Sequence, residues 1–302
     1  MASDCEVRVA GVALAQAQGW AQHAITEVRR IEAKFSRYLP ASIVSRINAS
    51  AGDPEGMAVD DETAQLLNFA HQLFMQSDGL FDITSGVLRQ AWDFKAARLP
   101  LQDELDALLP KVGWHMTRWE SPHLVLPLPG MEVDFGGFGK EYAADRAAAV
   151  LANAGARYGL VNLGGDISVI GPQPDGKPWS IGIRHPRQPD QTIASISLAR
   201  GGLATSGDYE RFFVQDGKRF CHLLDPRSGW PVAHWQSMSI VAPVCVAAGA
   251  VSTIAMLKQA EAGDFLAAQQ VAFLAIDADG VMTQRGLPAA PAVVPERSPR
   301  QR

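Results

Sequence analysis

The chain has 302 residues, 47% of them hydrophobic and 20% charged, with a formal net charge of −5. This composition supports a sizeable buried core and excludes extensive disorder, and an acidic balance without a basic stripe in the folded part argues against nucleic acid as a partner. The cysteines, Cys5, Cys221 and Cys245, are odd in number and far apart, which excludes a disulfide framework or a paired-cysteine metal knuckle and predicts reduced, partly buried thiols.

In chain order, Cys5-Glu6-Val7-Arg8-Val9 alternates as a strand, and 15–35 carries Trp20, Ile25, Val28 and Ile31 at helical spacing. A polar segment with Pro40, Ser42, Ser45 and Asn48 reads as a connection. A second helix follows around Leu66, Leu67, Phe69, Ala70, Leu73 and Phe74 and stops at Ser77-Asp78-Gly79. Residues 123–135 predict two short strands broken by Pro129-Gly130 and running into a glycine segment, then a helix over 141–154 closed by Gly155. Beyond it strands are predicted at 159–163, 179–184 and 193–198, with a hairpin around Asp216-Gly217. Helices near 246–258 and 261–270 precede a last strand pair across Asp277-Ala278-Asp279-Gly280. Without a regular βαβ rhythm, the expected fold is a single large α+β domain over 1–286, with largely antiparallel sheets flanked by helices. Residues 287–302, rich in Pro, Ala and Arg, predict a mobile tail. No window approaches the roughly 18 apolar residues of a membrane helix, and the first residues lack a basic start followed by an apolar run. The expectation is a cytoplasmic protein without a stable membrane anchor.

Chemistry is concentrated in a few segments. Val133-Asp134-Phe135-Gly136-Gly137-Phe138-Gly139-Lys140 leads through glycines into a helix, so that bare amides and the helix dipole can face an anion. It is neither a Walker loop nor a dinucleotide fingerprint, and alone it reads equally well as a tight structural turn. Asn162-Leu163-Gly164-Gly165-Asp166 is a second glycine loop, for which a bulge is the plainer reading. Ser206-Gly207-Asp208-Tyr209-Glu210-Arg211 and Phe220-Cys221-His222-Leu223-Leu224-Asp225-Pro226 flank a short hairpin that brings a hydroxyl, carboxylates and an imidazole toward one end. The His222 to Asp225 spacing can orient an imidazole for general-base work, although a histidine beside two leucines is more often a core residue and Asp-Pro more often starts a turn. Thr253, in the late apolar helix, can bond back within that helix or point into a site.

Taken in order along nearly the whole chain to about residue 285, these segments resemble the ApbE-type flavin transferases. The matching stretches are Phe35-Ser36-Arg37-Tyr38, Ser45-Arg46-Ile47-Asn48, Gly79-Leu80-Phe81-Asp82-Ile83-Thr84-Ser85-Gly86 leading to Trp92, and the glycine-lysine segment with Tyr142 and Asp145. Val161-Asn162-Leu163-Gly164-Gly165-Asp166, the Ser206 and His222 segments and Ser252-Thr253 complete the series. The resemblance implies a tunnelling-type (T-fold-like) α+β fold holding FAD, the substrate, in a cleft, with magnesium on its pyrophosphate. It also implies transfer of FMN from FAD to a threonine of an acceptor flavoprotein, with release of AMP. By matching position, Tyr38, Asn48, Asp82, Thr84, Lys140, Asp145, Gly164, Gly165, Asp166, Ser206, Gly207, Asp208, Tyr209 and Asp225 would bind FAD. His222 and Lys140 would serve catalysis, and Gly139, Thr253 and Glu141 would serve the metal.

The chain departs from the family pattern at three places. Gly249 stands where an aspartate is usual four residues before the metal-binding threonine, Gly139-Lys140-Glu141 replaces Ala-Lys-Gly, and Met1-Ala2-Ser3 replaces Met-Gly-Thr. Magnesium commonly relies on only one or two protein carboxylates, so the loss at 249 bears on metal affinity. Glu141 is the candidate to compensate; alternatively it only favours the N-terminus of its helix, worth roughly 0.3–1 kcal/mol. Two other functions stay open: an FAD-binding protein without transferase activity, and an FAD hydrolase giving FMN and AMP.

Overall fold

A computed structural model describes residues 4–287. The chain opens with β1 (Cys5–Val9) and α1 (Leu14–Phe35), then α2 (Ile43–Ala49), β2 (Met57–Ala58) and α3 (Asp61–Gln76). A 3-10 stretch over Ile83–Gln90, α4 (Gln102–Leu108), β3 (Arg118–Glu120) and β4 (His123–Val125) lead to α5 (Gly139–Asn153). The second half supplies β5 (Gly159–Leu163), β6 (Asp166–Gly171), β7 (Trp179–Arg184), β8 (Thr192–Leu198), β9 (Gly201–Gly207), β10 (Phe212–Gln215), β11 (Lys218–Cys221) and β12 (Trp235–Ala242). Helices α6 (Cys245–Lys258) and α7 (Ala262–Gln269) and the pair β13 (Ala272–Asp277) and β14 (Met282–Arg285) complete it.

A seven-stranded sheet in the order β1-β5-β6-β9-β12-β13-β14 forms the frame, and every pairing in it is antiparallel. Alternation along the strands divides its two faces. Val161, Leu163, Ala204, Met238 and Ile240 join the main core with α1, α5 and α6. Leu160, Ile167, Val169 and Leu203 point the other way, onto Ile181, Ile183, Ile196 and Leu198 of the two-stranded β7-β8 sheet. Helix α6 is buried on most of its circumference, and the small Ala143, Ala144, Ala147 and Ala148 let α5 lie close to it. A third core, built on Val87, Leu88, Trp92 and Leu105, is closed by Phe213 and Phe220 of the β10-β11 hairpin, whose turn residues Asp216 and Gly217 both have positive φ.

Two sequence expectations are corrected. The polar connection contains α2: Ser42 accepts from Ser45 N at 3.0 Å as its N-cap, and Ile43, Val44 and Ile47 are buried. The second strand expected within 123–135 is absent. β4 pairs instead with β3 before it and with β2, while the backbone of Val133 is held by the Asn48 amide and Asp134 N donates to Ile83 O, so no ladder partner is needed. Gly155, with φ of +104°, follows α5 as expected. Leu287, the first residue assigned to the tail, packs against the β7-β8 core; the rest of the tail and Met1-Ala2-Ser3 lie outside the described residues.

Candidate functional site

The antiparallel order brings the β5-β6 turn, the end of β9, the first turn of α5 and the middle of α6 to one end of the large sheet. The paired glycines form a two-residue hairpin turn rather than a bulge: Leu163 pairs with Asp166, and Gly164 and Gly165 both have positive φ. The turn delivers Asp166 at the start of β6, where it accepts from Thr205 N at 3.2 Å and pairs with Lys140 Nζ at 2.6 Å. Burial works against the Lys140 charge, but the carboxylates of Asp166 and Glu141 outweigh it and raise its proton affinity. Burial pushes Asp166 up, partly opposed by Lys140, and pushes Glu141 well up, with the Asp166 charge adding to the effect.

Glu141 lies in the first turn of α5 yet is only 8% exposed, and its Oε2 has no hydrogen-bond partner. Facing it on α6 is Gly249, where an added Cβ would stand 2.6 Å from Glu141 Cγ. Ser206 Oγ lies 2.8 Å from Ser252 Oγ and 3.0 Å from Thr253 Oγ1. Ser252 also bonds back within the helix, to Gly249 O at 2.9 Å, and Thr253 points toward Ser206. The unused Glu141 oxygen and these hydroxyls are hard oxygen donors and fit a cation such as magnesium. Among the described residues no three His, Cys, Asp or Glu side chains form such a group, so an ion here would complete its shell with hydroxyls, backbone carbonyls, water or phosphate. Gly139, the remaining residue of the expected metal set, is the first residue of α5.

His222 follows β11 with its Nδ1 buried and unpartnered. Burial, then the positive charge of Arg211 and more weakly that of Lys140, push its pKa down to about 4. The expected His222 to Asp225 pairing is not formed, because Asp225 accepts instead from the Arg227 guanidinium at 2.9 and 3.1 Å and from Arg227 N at 2.8 Å.

Other expected site residues have their side chains fully engaged by the fold. Asn48 clamps Val133, Asp82 and Thr84 tie the Ile83–Gln90 turn to Gly113 and Trp114, and Asp145 accepts from Ser168 Oγ, Cys245 N and Val246 N, capping α6. Asp208 is held bidentately by Arg187 at 2.6 and 2.7 Å, a contact from the β7-β8 loop with no signal in the sequence. Gly207 leaves room for the ring of Tyr209, whose hydroxyl burial pushes up to about 12, assisted by Glu210. Tyr38 is 71% exposed and bonded to Arg37. Asp82 also lines a cavity of about 350 Å³ with Phe74, His115 and Arg227. Sequence reasoning missed Arg187, and it missed Arg211 as the charge beside His222. The second could have been found from the β10-β11 register, which sets residue 211 opposite 222.

The ApbE family model matches residues 1–275. A protein of Escherichia coli K12 named FAD:protein FMN transferase is 31% identical over 229 residues, which is 72% of this chain and 65% of that protein. A Haemophilus influenzae protein of the same name is 30% identical over 237 residues, 75% of this chain and 68% of its own length. Among solved structures, an ApbE protein of Thermotoga maritima superposes with a TM-score of 0.86 at 30% identity, covering 93% of each chain. The flavin transferase ApbE of Vibrio cholerae gives 0.83 at 26%, covering 96% of this chain and 94% of its own. With one end of an antiparallel sheet carrying Lys140, Asp166, Ser206 and Thr253, and with these matches along nearly its full length, the chain belongs to the ApbE family.

Proposed function

We propose that the protein is an enzyme that transfers FMN from FAD to a threonine of an acceptor flavoprotein, meeting that acceptor in the cytoplasm. The observation that carries the reading is a buried imidazole whose Nδ1 is left without a partner. Buried polar groups are normally paired, and an unpaired one in a polar cluster marks bonding capacity kept for a ligand or a proton. In the reaction, the threonine oxygen attacks the phosphorus on the FMN side of the pyrophosphate and the P–O bond to AMP breaks. FMN becomes a phosphoester of threonine, AMP leaves carrying the electron pair as phosphate, and the threonine proton goes to a base.

Each residue has a task matched to its surroundings. His222 is neutral at pH 7, so it can take the proton without first losing one. Lys140, kept charged by Asp166 and Glu141, offsets negative charge on the phosphates. Ser206 and Thr253 supply a pair of hydroxyls at the same sheet end. Gly164 and Gly165 expose backbone at the same sheet end, where nothing stands within 4 Å of a Cβ added at Gly165. A magnesium ion, when bound, supplies charge neutralisation on the pyrophosphate, with Glu141, Thr253 and the Gly139 carbonyl as the groups that would hold it.

The test is AMP release from FAD by the purified chain, with and without a peptide carrying an acceptor threonine. Acceptor-dependent AMP with covalent flavin on the peptide is the expected result. AMP without acceptor would make the protein a hydrolase, and FAD binding with no AMP in any mixture would make it a binding protein. His222→Asn is expected to lower transfer at least about 100-fold, the low end for loss of a general base, with FAD affinity within about threefold.

A further inference from the structure

We infer that Glu141 and Gly249 are a matched pair building a divalent-cation site between α5 and α6, in which the missing side chain at 249 makes the space that the Glu141 carboxylate fills. The inference rests on reading this sheet end as a phosphate site, and it assigns the cation's protein carboxylate to α5. A Cβ at position 249 would meet Glu141 Cγ at 2.6 Å, Cδ at 2.8 Å and Oε1 at 2.8 Å, closer than Cβ atoms approach in real proteins. Any residue but glycine there would push Glu141 out of its place.

The second observation is the state of the carboxylate itself. A glutamate in the first turn of a helix is well placed toward solvent or the helix dipole, yet this one is buried with Oε2 unpartnered. The groups packed around it are the Asp166 carboxylate on β6, Lys140 on its own helix, and Gly249 on α6 with the Ser252 hydroxyl on its carbonyl. Asp145, one turn along α5, has its oxygens satisfied separately by three neutral donors from β6 and the start of α6. Two carboxyls therefore share one ammonium, and the cluster is one positive charge short. A proton shared between Glu141 and Asp166 would supply the charge, but it leaves Oε2 without a partner. A divalent ion supplies the charge and binds the free oxygen together, and Thr253, one turn along α6 from Gly249, presents a hydroxyl paired with that of Ser206.

The experiment is a Mn²⁺ titration of the purified chain, with and without ADP as a pyrophosphate-bearing probe, read by the free Mn²⁺ resonance signal and by the rise in melting temperature. Wild type is expected to bind one Mn²⁺, more tightly with ADP. Glu141→Gln should weaken binding at least about tenfold, as expected where only one or two protein carboxylates hold the ion. Gly249→Ala, which keeps the carboxylate but crowds it, should weaken it as well. The exchange Glu141→Gly with Gly249→Asp returns a carboxylate to the same space from α6 and should recover at least part of the affinity, which guards against a single variant that simply misfolds. Unchanged Mn²⁺ affinity in a folded Glu141→Gln protein, or no binding by wild type even with ADP, overturns the site. Flavin transfer is not read in this titration, so its loss with Mn²⁺ binding intact would overturn the proposed function and leave the site standing.

Discussion

Asp82 and Glu141 are both buried acids whose proton affinity is raised chiefly by loss of water, and the fold treats them in opposite ways. Around Asp82, Oδ1 accepts from Thr84 N at 2.8 Å and Thr84 Oγ1 at 2.6 Å, Oδ2 accepts from Trp114 N at 2.9 Å, and Thr84 Oγ1 in turn accepts from Gly113 N at 2.7 Å. Around Glu141 one oxygen has no partner, and a glycine has been placed where a side chain would evict it. Burial and a shifted proton affinity are thus shared by a structural knot and a candidate site. What separates them is bonding capacity left over after folding.

The largest effect that can break this contrast is at the saturated end. Asp82→Ala leaves the buried N–H groups of Thr84 and Trp114 without acceptors, and each such loss costs roughly 1–3 kcal/mol. Urea unfolding should show a stability loss of about 3–4 kcal/mol with little change in slope. Wild-type stability with a large loss of FAD affinity would reverse the assignment and make Asp82 a ligand-binding group.

His222 sharpens the same distinction through pH. Its folded pKa of about 4 lies below the ordinary value of 6.5, because burial and the Arg211 charge disfavour the imidazolium. The unfolded chain therefore binds a proton between these values that the folded chain refuses. The stabilisation is fully present above about pH 6.5 and is lost as the pH falls toward 4, in total by about 1–3 kcal/mol. Going from pH 7 to pH 5 should cost wild type more stability, read from urea midpoints, than it costs His222→Asn, in which the raised acids Asp82 and Glu141 still titrate. Glu62, held down to about 2 by Arg30, titrates in a lower window and does not obscure the comparison. An equal acid loss in both proteins would show that the imidazole is not secluded.

What could be read from the sequence follows the range of the interactions involved. The Asp216-Gly217 hairpin and the Gly155 stop depend on local backbone conformation, and both stand where turn chemistry put them. Helix α2 was hidden because Ser42, Ser45 and Asn48 look like a loop, although Ser42 is a cap and Asn48 serves a distant backbone. The adjacent hydroxyls of Ser252 and Thr253 both meet Ser206 across the helix-sheet gap, and Ser252 alone also bonds back to Gly249 O, a difference that helical periodicity cannot decide. The Arg187 to Asp208 clamp and the nesting of Glu141 against Gly249 join segments remote in sequence, so composition and spacing carry no trace of the contact. The departures at 141 and 249 were visible, and the family resemblance already suggested that the first compensates for the second; that the two fill one space needed the structure.

The smallest expected effect on stability belongs to Tyr38, at the exposed extreme of the comparison. Its hydroxyl accepts from Arg37 Nη2 at 2.8 Å and its ring lies 4.9 Å from the guanidinium. Arg37 also pairs with Asp134, which accepts from Gly136 N in the glycine segment, so the ring is tethered to that segment while remaining 71% exposed. A surface aromatic of this kind contributes little to folding, and Tyr38→Ala should change stability by no more than about 0.5 kcal/mol. If the ring stacks on the flavin or the adenine of FAD, its removal should cost about 1–3 kcal/mol of binding, roughly five- to 150-fold in affinity, as base-aromatic stacking does elsewhere. Titration of FAD followed by flavin fluorescence separates the two cases, because a ring that only covers Arg37 would leave the affinity at its wild-type value. Tyr38→Phe then isolates the hydroxyl: it keeps the stacking face and the ring contact with Arg37 and removes only the hydrogen bond, so it should bind FAD within about threefold of wild type.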